Sequence, residues 1–125
     1  MMKNKFFSEL FSLVTNKNSK FLLAISGGVD SMVLAYLFRI NKIKFSIAHC
    51  NFKLRGEESD GDELFIKKYA KNYEVNFYCK KFETALFAKK NKISIQMAAR
   101  KLRYKWFKDL SSQEKFDYIV TAHHF

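Results

Sequence analysis

Apolar residues in this chain alternate between two patterns. Short continuous runs such as Phe21-Leu22-Leu23-Ala24-Ile25 have the length and composition of buried strands, and the longer stretches between them repeat apolar positions at helical spacing. The pattern predicts strands over 21–25, 43–49, 74–79 and 117–122, and helices over 30–40, 59–72 and 93–110. Phe6, Phe7, Leu10, Phe11 and Val14 predict a further docking helix near 5–14, and the segment 82–91 reads as either a short helix or a loop. Ser59 followed by Asp62, ahead of Leu64, Phe65 and Ile66, has the form of a helix start with acidic residues in its first turn. Strands alternating with helices predict an α/β fold, a parallel sheet with helices on both faces and right-handed crossovers.

Open sheets of this kind bind ligands beyond the carboxyl ends of their strands. The first predicted strand leads into Ser26-Gly27-Gly28-Val29-Asp30-Ser31, the second into His49 to Arg55, and the fourth into His123 and His124, so three polar segments converge on one edge. The hexapeptide has the make-up of an anion site. Its glycines reach backbone angles closed to residues with a Cβ, and the N–H groups of the following helix start face an arriving anion. Ser26 and Ser31 add hydroxyls, whereas Asp30 repels a phosphate unless it holds a metal ion or an amine. A nucleotide–metal complex is the guest that satisfies all six residues.

No lysine follows the second glycine, so the segment is not a GxxxxGK[ST] loop. It resembles SGGxDS, the PP-loop of N-type ATP pyrophosphatases, which split ATP between its α and β phosphates. Three further segments follow: Ala48-His49-Cys50-Asn51-Phe52-Lys53-Leu54-Arg55-Gly56-Glu57-Glu58-Ser59, then Ala98-Ala99-Arg100-Lys101-Leu102-Arg103-Tyr104, then Thr121-Ala122-His123-His124. In that order and spacing, from about Phe21 onward, the chain resembles the N-terminal half of the catalytic domain of the tRNA(Ile)-lysidine synthetase family. The sequence departs from the family pattern in two places. Phe52 stands where many relatives carry a second histidine, and the chain stops at Phe125, where the family continues into an Asp-Asp-Gln segment.

Length and composition narrow the picture. One domain spanning 1–125 is expected, with 48% hydrophobic residues excluding a disordered tail, and no run approaches the ~18 apolar residues of a membrane span. Cys50 and Cys79 are too far apart for a CxxC pair and too few for a disulfide scaffold, so a reducing cytosol is the expected compartment. The net charge of +11 suits an RNA partner, although abundant lysine, phenylalanine and asparagine also follow from an AT-rich coding sequence. Arginine is used more sparingly. Only four occur among 23 basic residues, and Arg55, Arg100 and Arg103 fall inside the segments above, where a bidentate fork suits phosphate oxygens.

On the helix expected over 93–110, Ile95, Ala99, Leu102, Trp106 and Leu110 form a stripe predicted to cover the sheet, opposite Lys101, Lys105 and Lys108. Arg100, Arg103, Tyr104 and Phe107 then fall on a flank. They read either as an ordinary surface with snorkelling arginines or as groups reaching a site.

The family resemblance implies an adenine nucleotide alpha hydrolase-like, Rossmann-like fold, truncated here, and a ligase using ATP and Mg²⁺. In the implied reaction, O2 of a cytidine in the CAU anticodon of an isoleucine tRNA attacks the α-phosphorus, and the amine of free L-lysine then displaces AMP at C2. On that scheme Ser26, Gly27, Gly28, Val29 and Ser31 hold the pyrophosphate, and Asp30 helps hold Mg²⁺. Arg100 or Arg103 offsets charge on the α-phosphate, and His123 or His124 sits near the reacting group. His49 is either a further candidate or a satisfied strand-end residue. The chain alone is expected to be inactive. The alternatives are another PP-loop pyrophosphatase, a tRNA thiolase or amidotransferase synthetase, and a non-catalytic nucleotide- or RNA-binding remnant.

Overall fold

The computed structural model describes residues 19–122, so the docking helix expected near 5–14 and the paired His123 and His124 lie outside the described residues. In chain order the elements are β1 (Phe21–Ala24), α1 (Val29–Ile40), β2 (Phe45–Asn51), α2 (Glu57–Asn72), β3 (Asn76–Lys81), α3 (Thr84–Lys90), α4 (Ile95–Glu114) and β4 (Tyr118–Thr121). The strands form one parallel sheet in the order β3-β2-β1-β4. The predicted fold class therefore holds, and the undecided segment 82–91 contains the short helix α3.

Alternation along each strand sends side chains to two separate cores. On one face Leu23, Ile25 and Ile47 pack with Leu34 and Phe38 of α1 and with Ile66 and Ala70 of α2. On the other, Leu22 and Ala48 pack with Phe107 and Leu110 of α4. The long helix docks on part of the expected stripe, Leu110 with Trp106 packed beside it, but turns Phe107, expected on a flank, into the core in place of Ile95. Ala98, Phe107 and Leu110 are buried while Ile95 is 41% exposed, because the contact follows Phe107 onto the sheet, with Trp106 at the margin of that core.

Two strands start later than predicted, at Phe45 and Asn76, and the reason lies in how the preceding helices end. After α1, Lys42 takes a left-handed φ of 56° and Ile43 N–H donates to Phe38 O at 3.0 Å. After α2, Glu74 and Val75 repeat the arrangement, with Val75 N–H donating to Ala70 O at 2.8 Å. Ile43 and Val75 are thus the apolar residues that close Schellman turns rather than the first residues of strands. Lys92 and Lys115 close α3 and α4 in the same left-handed conformation. A side chain costs roughly 1 kcal/mol in that conformation, which glycine avoids. Lys92→Gly is accordingly expected to raise stability by up to about 1 kcal/mol in urea denaturation; a loss of stability would refute the assigned turn.

Candidate nucleotide site at the carboxyl edge of the sheet

Gly27 adopts a φ of 98°, which L side chains rarely take, and so turns the chain sharply between β1 and α1. Gly28 is the N-cap of α1 and supplies no side-chain cap, unlike Ser94, whose hydroxyl accepts the Met97 N–H of α4 at 3.1 Å. Gly28 O accepts the first helical bond from Met32 N–H at 3.1 Å, so the Val29 N–H ahead of it has no acceptor within the helix. Ser31 is buried and works inside the loop: its Oγ accepts the Gly27 N–H at 3.1 Å and donates to Gly28 O at 2.9 Å. Ser26 Oγ accepts the Gly28 N–H at 3.3 Å. The two serines expected to meet an anion directly thus also brace the loop, and Ser26 is the exposed one. Asp30 lies exposed in the first turn of α1, where a carboxylate is favoured by the helix dipole.

The loop after β2 is held by a buried amide. Asn51 is 1% exposed; its Nδ2 donates to Asp60 Oδ1 and Glu63 Oε1, both at 3.0 Å, and its Oδ1 accepts the Lys53 N–H at 3.0 Å. Burial raises the Glu63 carboxyl pKa, but hydrogen bonds from Asn51 and Cys79 and the charges of Lys81 and His49 outweigh that and leave it lowered. Arg55 Nη2 donates to Asp62 Oδ2 at 2.7 Å and Nη1 to Glu58 Oε1 at 2.9 Å. A Cβ placed on Gly27 would lie 3.6 Å from Asp62 and 3.5 Å from Ile66, so α2 backs the glycine loop directly. Asp62, expected as a helix-start residue, thus also ties Arg55 to the glycine loop, and Asn51, to which the sequence pattern assigns no role, anchors the loop after β2. The spacing of Ser59, Asp62 and Ile66 on one helical face was the signal available for the first, and nothing in the sequence marked the second.

A cavity of about 150 Å³ lies between these parts, bordered by Ser26, His49, Phe52, Leu54, Arg55 and Asp62 among others. His49 is 3% exposed, and Ile25 O lies 2.8 Å from its Nδ1, so that nitrogen carries the proton; Nε2 is buried and has no hydrogen-bond partner among the described residues. His49 is therefore half satisfied, and it lies inside β2, which runs two residues past the strand end expected at 49.

Arg100 and Arg103 lie on the other face of the sheet, bordering a groove of about 530 Å³ with Tyr104, Phe107 and Thr121. Ala24 and Thr121 are in register at the ends of β1 and β4, which puts the arginine groove and the glycine loop at neighbouring strand ends. The groove is the larger space, but the smaller cavity adjoins the glycine loop, and its chemistry rather than its size makes it the candidate nucleotide site. Cys50 and Cys79 do not form a pair. Cys79 is in register with His49, so Cys50 points to the opposite face. Burial pushes each thiol up to about 12, against the Arg103 charge at Cys50; at Cys79 the bond to Glu63 adds to the rise and Lys81 opposes it.

No helix among the described residues is long and apolar enough to cross a membrane. The PP-loop domain family model matches residues 2–125. The chain is 40% identical over 107 residues to a tRNA(Ile)-lysidine synthase of Bacteroides thetaiotaomicron, a match covering 86% of this chain and 25% of that protein. Similar matches are a synthase of Porphyromonas gingivalis, 42% identical over 82% of this chain and 23% of the relative, and one of Petrotoga mobilis, 37% identical over 89% and 37%. The chain spans about a quarter of the length of the first two of these relatives.

Proposed function

Because the chain belongs to the PP-loop family, we propose that it is the ATP-binding part of a tRNA(Ile)-lysidine synthase, joining L-lysine to a cytidine of isoleucine tRNA in the cytoplasm. The observation that carries the reading is the loop itself, a left-handed Gly27 and an uncapped helix start at the end of a buried parallel strand. In the first step cytidine O2 forms a bond to the α-phosphorus as the bond to pyrophosphate breaks. In the second, the lysine amine bonds to C2, AMP leaves with the O2 oxygen, and the amine gives up a proton.

The loop from Ser26 to Ser31 holds the departing pyrophosphate through backbone N–H groups. Mg²⁺ enters as part of the Mg-ATP substrate. Asp30, exposed in the first turn of α1, is the carboxylate this loop offers to that ion beside the phosphate oxygens. Arg100 or Arg103 offsets charge on the α-phosphate from the neighbouring strand end. Both border the groove, and a guanidinium fork suits phosphate oxygens. The family resemblance assigns His123 or His124, which lie outside the described residues, to the reacting phosphate or base.

A thiolase is disfavoured, because both thiols are held protonated by burial and point to opposite faces. The test is transfer of labelled lysine to isoleucine tRNA with a CAU anticodon. The assay uses the chain alone and the chain replacing the matching part of the Bacteroides thetaiotaomicron relative. ATP-dependent transfer by the chimera is expected. Sulfur or ammonia incorporation would support another PP-loop pyrophosphatase, and tRNA binding without turnover by a folded chimera would support the non-catalytic remnant.

A further inference from the structure

Ser26 of the glycine loop shares its cavity with the apolar side chains of Phe52 and Leu54. The Phe52 ring stacks on Phe82, with centroids 5.6 Å apart and planes inclined by 24°, and Phe82 meets Trp106 edge to face at 6.1 Å. Phe82 is itself buried, and its N–H donates to Asn51 O at 2.8 Å. Asn51 also fixes Lys53 through its side chain, so the residues on both sides of Phe52 are tied to a buried anchor. A ring fixed in this way loses little freedom when a ligand arrives. Flat apolar surface next to a phosphate loop is what a nucleobase requires, since its edges stay polar while its faces favour an aromatic neighbour.

We propose that Phe52 is the base-stacking residue for the nucleotide whose phosphates lie in the Ser26–Ser31 loop. The assignment rests on the nucleotide-binding reading above. Calorimetry on this chain with two probes, Mg-ATP and base-free Mg-tripolyphosphate, separates the two. The unsubstituted chain should bind Mg-ATP more tightly than tripolyphosphate. Phe52→Leu, which keeps apolar volume but removes the π face, should weaken Mg-ATP by about tenfold or more and leave tripolyphosphate within about twofold. Phe52→Trp should retain Mg-ATP binding. Equal affinity for the two probes, Mg-ATP binding unchanged in Phe52→Leu, or equal losses for both probes in that variant would each overturn the stacking role while leaving phosphate binding at the loop intact as a reading. Failure of the unsubstituted chain to bind either probe would overturn the nucleotide site and the stacking role together.

Discussion

Gly27→Val is expected to weaken Mg-ATP binding by about 100-fold and to destabilise the chain by about 1–3 kcal/mol. The cost is in the backbone. A Cβ at this position would meet Ile66 and Asp62 at ordinary contact distances of 3.5 and 3.6 Å, but a β-branched residue does not hold a φ of 98° without strain. Relaxing that angle moves the Gly27 N–H off Ser31 Oγ and displaces the start of α1, where the phosphate-facing N–H groups must be aimed. Gly28→Ala is the matched comparison. Gly28 has an ordinary φ of −73°, and a Cβ there would lie 3.5 Å from Ser26 Oγ, so its stability should change by less than about 1 kcal/mol. Calorimetric binding and urea denaturation of the two variants check the pair, and equal effects at both positions would argue against a loop shaped by Gly27.

Phe38→Ala should be the most destabilising single change in the core, at about 3–5 kcal/mol by urea denaturation. Phe38 is fully buried and lies edge to face with Phe21 of β1 at 5.3 Å and Phe45 of β2 at 5.8 Å. It therefore locks α1 onto both strands that carry the site. Domains of this size have only about 5–15 kcal/mol in total, so such a loss would leave a measurable unfolded population at moderate denaturant. A loss under about 1 kcal/mol would mean that α1 does not pack on the sheet through this ring.

The same residues explain what the sequence made legible. Phe21 to Ile25 and Ile47 are apolar because both faces of a parallel sheet are covered, and that continuous pattern was readable without a structure. Gly27 was readable because a φ of 98° admits few other residues, whereas Gly28, expected to need the same freedom, takes an ordinary φ of −73°. Helix ends were harder to place, since Lys42, Glu74, Lys92 and Lys115 occupy left-handed positions where glycine is the usual marker. The sheet-facing stripe of α4 was right at Leu110 but shifted at Ala98 and Phe107, which sit beside Ala99 and Trp106, and periodicity alone does not choose between such adjacent pairs. Asn51 and Asp62 act through partners distant in sequence or fold, Asp60, Glu63, Arg55 and the Gly27 backbone, which only the packed structure brings together.

The central claim is that the loop from Ser26 to Ser31 binds the phosphates of Mg-ATP. Its most direct test is calorimetric titration of this chain with Mg-ATP, beside Asp30→Asn. The expected result is saturable binding that weakens by about tenfold or more in the variant, because a carboxylate serving the Mg²⁺ is lost while the loop backbone is kept. Absence of binding by a chain shown to be folded, or equal binding by the variant, would contradict the claim as stated.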